Sequence, residues 1–410
     1  MLGNVIVGQS GGPTAVINSS LAGVYKTAKD LGAKKVYGMR YGIQGFLKKN
    51  IVDMDEKIRS DLDLELLKRT PSAFLGSCRF KLPEINDDKE LYDKIFEILE
   101  EYDISAFFYI GGNDSMDTIK KLSDYAFQIK SNIRFMGVPK TIDNDLAETD
   151  HTPGYGSAAK YIASVTKEII RDGLVHDVKN VSIIEIMGRN AGWLTAAAAM
   201  AKGEDCEGID LIYLPELPFD VDKFVKRIGD LLEKKSSVVV AVSEGIKTAE
   251  GKYVFELTSH TEYVDAFGHK QLSGTARYLA SLISEKYGCK TRPIELSTLQ
   301  RCAGHLTSRV DITEAYQVGG SAVKAASEGE TGKVVILKRV SSDPYICTTD
   351  IHDVHKIANI EKKVPDEWIT DDGTNVSQEM INYIYPLIQA ELTPIMITGR
   401  PQHIVIDMEK

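Results

Sequence analysis

Hydrophobic and polar positions in the first half of the chain repeat one rhythm: a short apolar run, a glycine-containing turn, then a helical period. Asn4 to Val7 runs into Gly8-Gln9-Ser10-Gly11-Gly12-Pro13-Thr14, and a helical stretch follows from Ala15 to Leu31. Lys35 to Gly38 reads as a short strand. Ala106 to Ile110 reads as a buried one, with Gly111-Gly112-Asn113-Asp114-Ser115 behind it and a helix predicted over Met116 to Lys130. Arg134 to Val138 ends at Pro139. This alternation predicts an α/β fold, a parallel sheet with helices on both faces. Ligands of such sheets lie at the carboxyl ends of the strands, where these glycine turns fall.

A second series follows a long helix predicted from Ala158 to Asp172. Its strands are Asn180 to Ile186, Leu211 to Leu214 and Ser237 to Val242, which predicts a second α/β lobe with its boundary near Pro139 to Gly156. There is no solenoid repeat and no low-complexity linker. From about Ser341 the rhythm fades, interrupted by Pro344, Pro365 and Pro386, and Ile404-Val405-Ile406 reads as a closing edge strand.

At 410 residues, 43% hydrophobic and 26% charged, the chain is long enough for two or three domains. Its composition excludes a collagen, a disordered protein and a disulfide scaffold. No apolar run reaches membrane-spanning length. The start, Met1 to Val7, lacks a basic region and a long apolar stretch, so it reads as a first strand and not a signal peptide. Five scattered cysteines without CxxC spacing point to a reducing cytoplasm and away from a cysteine-built zinc site. The net charge of -10 argues against nucleic acid as the main partner. A small phosphate can still be held in one local basic pocket.

Gly8 to Gly12 sits between a strand and a helix, so its backbone N–H groups and the helix dipole suit an anionic phosphate. It is neither a Walker A motif nor GxGxxG, and alone it is equally well a plain turn. Gly111-Gly112 after a second buried strand strengthens the phosphate reading. The densest signal is Pro139-Lys140-Thr141-Ile142-Asp143-Asn144-Asp145, directly after a strand. One carboxylate there can take a proton from a substrate hydroxyl while neighbours help hold a metal. The competing reading is an Asx-rich turn, and position at the lobe boundary favours chemistry. Arg189 follows another strand; with Arg79, Arg292 and Arg301 near turns, a second anion pocket is expected. Glu244 suits sugar hydroxyls, or else caps a helix start. The eight histidines form no HExxH, and His352 and His355 read as solvated surface. No GxSxG elbow is present.

Taken in order from residue 1 to about 310, these motifs resemble the 6-phosphofructokinase family. Ser10-Gly11-Gly12 matches its first phosphate loop and Phe74 to Phe80 its FLGSxRF element. Gly111 to Ser115 matches its GGDGS loop with changes, and Pro139 to Asp145 its TIDND element. Met187-Gly188-Arg189 matches MGR, and Pro215 to Phe219 matches PE.PF. Ser243-Glu244-Gly245 and Thr298 to Arg301 fall where the family's sugar-phosphate residues lie. The resemblance implies two lobes, each a mainly parallel sheet flanked by helices, with the active site in the cleft between them. Residues 1–140 would bind the donor, 141–300 the sugar phosphate, and 301–410 would return to the first lobe with an extension to which the sequence assigns no role.

The implied reaction is phosphoryl transfer to the 1-hydroxyl of fructose 6-phosphate, with Mg²⁺, in a cytoplasmic homodimer or homotetramer. Asp143 would be the base. Thr141, Ile142, Asp145, Met187, Gly188, Arg189, Glu244, Thr298 and Arg301 would bind substrate, and Gly11, Gly12, Gly112 and Lys140 the donor. Arg79 would face the transferred group, and Asn113, Asp143 and Asp145 would serve the metal. Asp114 stands where ATP-using members carry glycine, and Lys140 replaces the glycine before TIDND. A carboxylate at 114 would repel the α-phosphate of ATP, whereas pyrophosphate lacks that group. This pair resembles the pyrophosphate-dependent branch; an ATP-dependent kinase and a non-catalytic sugar-phosphate regulator are the alternatives. Asn113 replaces a metal-associated aspartate, Thr298 a histidine or tyrosine, Asn180 an arginine donated across a subunit interface, and Ala22 an effector-site arginine.

Overall fold

The structure, a computed structural model, describes residues 3–175, 177–257 and 273–406. Met1 and Leu2 of the first predicted strand, and His176, His260 and His269, lie outside the described residues. Apart from two-residue ladders in the tail, the strands of the described residues in chain order are β1 (Asn4–Gln9), β2 (Val36–Met39), β3 (Ile51–Asp53), β4 (Ile104–Gly111), β5 (Arg134–Pro139), β6 (Asn180–Ile186), β7 (Leu211–Tyr213), β8 (Ser237–Ser243), β9 (Lys290–Glu295), β10 (Lys333–Ser342) and β11 (Tyr345–Asp353). They build two sheets, with orders β11-β10-β5-β4-β1-β2-β3 and β7-β8-β6-β9. The second sheet is wholly parallel. The first is parallel through its five inner strands, with β3 and β11 as antiparallel edges.

Alternation along each strand explains the layering. Val5, Val7, Ala106, Phe108 and Ile110 enter the core on one face of the first sheet. Ile6, Phe107 and Tyr109 enter the core on the other. In the second sheet, Val238, Val240 and Val242 face one core, and Val239 and Ala241 the opposite one. Strands buried on both faces need near-continuous apolar runs, and that is how they read.

After β9 the chain crosses back. Helix Arg309–Ser327 packs on helix Ile17–Asp30, and β10 joins the first sheet beside β5. The two helices touch backbone to backbone. A Cβ on Gly23 would fall 2.0 Å from the Tyr316 carbonyl oxygen, and one on Gly319 2.1 Å from that of Ser20. The tail then spreads over the second lobe, burying Val364, Met380, Ile384 and Leu387 in its core. Ile404 and Ile406 come back to the first core, but Ile404 to Ile406 is not a strand. The segment is held by its side chains and by single bonds, such as Ile404 N–H to Thr70 Oγ1, so the predicted edge ladder is absent. Among the described residues no helix is long and apolar enough to cross a membrane.

A buried ionic network joins the tail, β10 and the loop after β5. His151 Nδ1 lies 2.7 Å from Asp150 Oδ1 and His151 Nε2 lies 2.7 Å from Glu314 Oε2. Arg339 also bonds Asp150, and Tyr345 donates to Glu314. Burial works against the imidazolium, but Glu314 and Asp150 outweigh it and push the pKa from 6.5 up to about 9. A raised histidine pKa gives stability that is complete below 6.5 and lost as pH climbs through about 9, here roughly 3 kcal/mol. His151→Gln should therefore lower the melting temperature strongly at pH 6.5. The gap to wild type should narrow by pH 10 in paired thermal melts; a gap independent of pH would show that His151 is neutral in the fold.

Candidate active site

The carboxyl ends of β1, β4, β5, β6 and β8 converge on a cleft of about 1060 Å³ between the sheets. Gly11, Gly12, Arg79, Gly112, Asn113, Asp114, Lys140, Thr141, Ile142, Asp143, Asp145, Met187, Arg189, Glu244, Thr298 and Arg301 all line it. Of the site residues predicted from sequence, Gly188 and Arg292 are not among those lining it; Gly188 belongs to the loop after β6. It sits at φ +136° with its carbonyl accepting from Ser243 Oγ at 2.6 Å, and its backbone hydrogen-bonds the Glu244 carboxyl group, which does line the cleft. Arg292 is also elsewhere: it lies on β9 beside Asn180 and Asp172. His352 and His355 are at the surface, paired with Glu148 and with Asp124 and Asp353.

One wall of the cleft is built on the first sheet. Gly11, at φ +75°, turns the chain after β1, and Ser77 Oγ donates to its carbonyl at 2.6 Å. Helix Asn113–Gln128 begins three residues earlier than its hydrophobic period predicts, with Gly112 as its N-cap. Asp114 therefore lies in the first helical turn, where the helix dipole favours an anion. It occupies part of the charge-binding capacity that an incoming phosphate chain would use. Lys140 is 3% exposed and its Nζ donates to the Gly12 carbonyl at 2.7 Å. Burial pulls its pKa down to about 8, with Arg301 and Arg79 adding to the effect and Asp143 and Asp145 opposing it. An anionic donor bound beside this ammonium group would relieve that cost.

Between the lobes, the TIDND turn is held from behind. Asn144 adopts φ +56°, a left-handed conformation that asparagine tolerates. Its Nδ2 donates to Tyr383 Oη at 2.8 Å and its Oδ1 accepts from Thr152 N–H at 3.0 Å. Asn144 anchors the turn through these long-range bonds, and Asp143 and Asp145 on either side of it line the cleft. Burial raises the pKa of Asp143, while Lys140, Arg189 and Arg301 pull it down. Burial and the neighbouring Asp143 push Asp145 up to about 7.

The second sheet supplies the opposite wall. A Cβ on Gly245 would lie 1.9 Å from the Arg189 carbonyl oxygen, so glycine lets the loops after β6 and β8 nest together. This places Arg189 and Glu244 side by side. Burial, then Asp143 and Glu185, push Glu244 up to about 8. Gln300 Oε1 accepts from Met187 N–H at 3.1 Å and fixes the MGR loop. Arg301 reaches further than its sequence position suggests. Its Nη1 would lie 3.1 Å from a Cβ on Gly12, so this guanidinium reaches across the cleft to the loop after β1.

Sequence reasoning missed Asn359 and Glu361, which line the cleft from the tail. Glu361 pairs with Leu146 in a single antiparallel bridge and accepts from Asn190 Nδ2 at 2.7 Å. It also missed Gln300 and Glu185; Gln300 lay within reach, since it stands between Thr298 and Arg301.

Comparison with known proteins agrees with this geometry. The phosphofructokinase family model matches residues 4–326. A protein of Halomonas elongata named pyrophosphate–fructose 6-phosphate 1-phosphotransferase is 37% identical, over 97% of this chain and 95% of its own length. One of the same name from Xanthomonas campestris pv. campestris is 39% identical over 95% and 92%. The crystal structure of a pyrophosphate-dependent phosphofructokinase from Nitrosospira multiformis superposes with a TM-score of 0.88 at 35% identity, covering 98% of this chain and 95% of that one. With the family model matched over residues 4–326 and relatives 37% and 39% identical over nearly the whole chain, the chain belongs to the phosphofructokinase family.

Proposed function

We propose that the chain transfers a phosphoryl group from pyrophosphate to the 1-hydroxyl of fructose 6-phosphate, giving fructose 1,6-bisphosphate and phosphate. The observation that carries this reading is that Asp114, in the first turn of its helix, and the buried Lys140 both line the one cleft. That pair suits a short, highly charged donor and opposes a longer one.

In the proposed mechanism Asp143 accepts the proton of the 1-hydroxyl as its oxygen attacks the nearer phosphorus. The new O–P bond forms as the bond to the bridging oxygen breaks. Lys140 and the N-terminus of helix Asn113–Gln128 stabilise the charge that collects on the departing phosphate. Arg79 and Arg301 face the group in flight, and Arg189 and Glu244 orient the sugar phosphate. Asn113 Oδ1 is buried without a hydrogen-bond partner, and the carboxylates of Asp143 and Asp145 lie in the same cleft. This all-oxygen set fits Mg²⁺, which would supply charge neutralisation on the phosphates. The enzyme is taken to act in the cytoplasm as a homodimer or homotetramer.

Donor and product phosphoanhydride and ester energies are similar enough that the reaction should run both ways. Fructose 1,6-bisphosphate with inorganic phosphate should yield pyrophosphate at a rate comparable with the forward one. An enzyme that makes the bisphosphate but never pyrophosphate in reverse would refute the assignment. Within the site, Arg189→Ala should raise KM for fructose 6-phosphate roughly 10- to 100-fold, the worth of one charge-assisted bond. Its KM for pyrophosphate should change far less. Arg301→Ala, lying against Gly12, should raise both. Steady-state kinetics with each substrate varied would check this, and a pyrophosphate-only effect in Arg189→Ala would reverse the assignment of the two pockets.

A further inference from the structure

Pyrophosphate ends at its second phosphorus, whereas a nucleotide continues past it. With phosphates at the N-terminus of helix Asn113–Gln128, a continuation that ran along this helix would pass its first turn. Two chain segments cover that stretch. On one side Lys121 Nζ donates to the Leu82 carbonyl at 2.9 Å and pairs with Glu84 at 2.8 Å. On the other, Asn359 Nδ2 donates to Asp117 Oδ1 at 2.9 Å, and Asn113 Nδ2 reaches the Ile360 carbonyl at 3.3 Å. Asp117 and Lys121, one helical turn apart and 2.8 Å from each other, join the two sides. They are 3% and 5% exposed. Asn359 sits at φ +64°, a backbone reversal next to Ile360 and Glu361, and the latter anchors to Asn190 of the second lobe. The strap comes from beyond residue 326, where the family match stops.

We infer that Glu84, Lys121, Asp117 and Asn359 form a clamp that limits the size of the donor by filling the path a nucleoside would take. It is a second determinant, steric in kind, beside the charge of Asp114. The buried Asp117–Lys121 pair has no part in the proposed chemistry, and a charged pair withdrawn from water is retained here as the rivet between two covering segments. This inference rests on the pyrophosphate reading of the donor site.

The test uses the full-length enzyme and three donors: pyrophosphate, inorganic tripolyphosphate and ATP. Tripolyphosphate has the third phosphate of ATP without the nucleoside. Asp114→Gly should gain more activity with tripolyphosphate than with ATP. Adding Glu84→Ala and Asn359→Gly, which free both segments and leave the buried pair intact, should raise the ATP-to-pyrophosphate ratio of kcat/KM at least tenfold further. Asp117→Leu with Lys121→Met, which removes both charges together, should raise the ratio in the same direction. If Asp114→Gly already uses ATP as well as tripolyphosphate, or if neither opened variant raises the ratio, the clamp is not a donor filter. A wild type inactive with pyrophosphate would instead remove the functional reading itself, so the two failures are distinct.

Discussion

Replacing Asp143 by asparagine should cut kcat by about 10²- to 10⁴-fold, the usual cost of losing a general base. The substitution keeps the shape of the side chain, and the turn that carries it is held by Asn144 through Tyr383 and Thr152. KM for fructose 6-phosphate should therefore stay within a few-fold of wild type, as should the melting temperature. The large effect is confined to the step in which the hydroxyl proton leaves. Asp145, two residues on in the same turn, and Glu244 on the opposite wall are the carboxylates that would have to take over the proton. A variant with near-normal kcat at saturating substrates would show that another group takes the proton.

Exchanging the donor pair should have the second largest effect. Asp114→Gly removes the carboxylate from the first turn of helix Asn113–Gln128, so ATP should gain measurable turnover, still small while the clamp is closed. Pyrophosphate turnover should fall in the same variant, because a carboxylate that lines the cleft with Lys140 is lost. Lys140→Gly removes the cation bonded to the Gly12 carbonyl, and with it charge stabilisation on the departing phosphate. Loss of one such preorganised partner typically costs about 10²- to 10³-fold. The two residues line the same wall, so their effects should not add. Rates of the four enzymes with both donors would decide the matter. Unchanged donor activities in Asp114→Gly would end the gatekeeper role of that residue.

Much of this site is legible because the chemistry-bearing residues follow strands. Gly11, Gly112, Asp143, Arg189 and Glu244 each stand one to five residues past an apolar run, and a parallel sheet brings such positions to one edge. What stayed hidden depends on returns of the chain over long sequence distances. Asn113 and Ile360 are 247 positions apart, and nothing local in Asn359 to Glu361 marks them as lining a cleft. β9 was missed because it is an edge strand carrying Pro293 and charged residues, without the continuous apolar run of a buried strand. The fading rhythm after Ser341 is the β10–β11 hairpin, whose residues beyond Leu337 alternate at a half-exposed surface. Gly188 adds what its motif alone does not show: it sits at φ +136°, a backbone conformation that favours glycine, directly before Arg189.

The central claim is the identity of the donor, and initial rates measure it directly. Wild-type enzyme would be given fructose 6-phosphate and Mg²⁺ with either pyrophosphate or ATP at matched concentrations, and fructose 1,6-bisphosphate formation followed. A carboxylate a few ångströms from an added phosphate costs about 3 to 4 kcal/mol at an effective dielectric near 20. Pyrophosphate should therefore be preferred by roughly 10²-fold or more in kcat/KM. Equal rates with the two donors, or faster turnover with ATP, would contradict the roles given to Asp114 and Lys140 and make the chain an ATP-dependent phosphofructokinase.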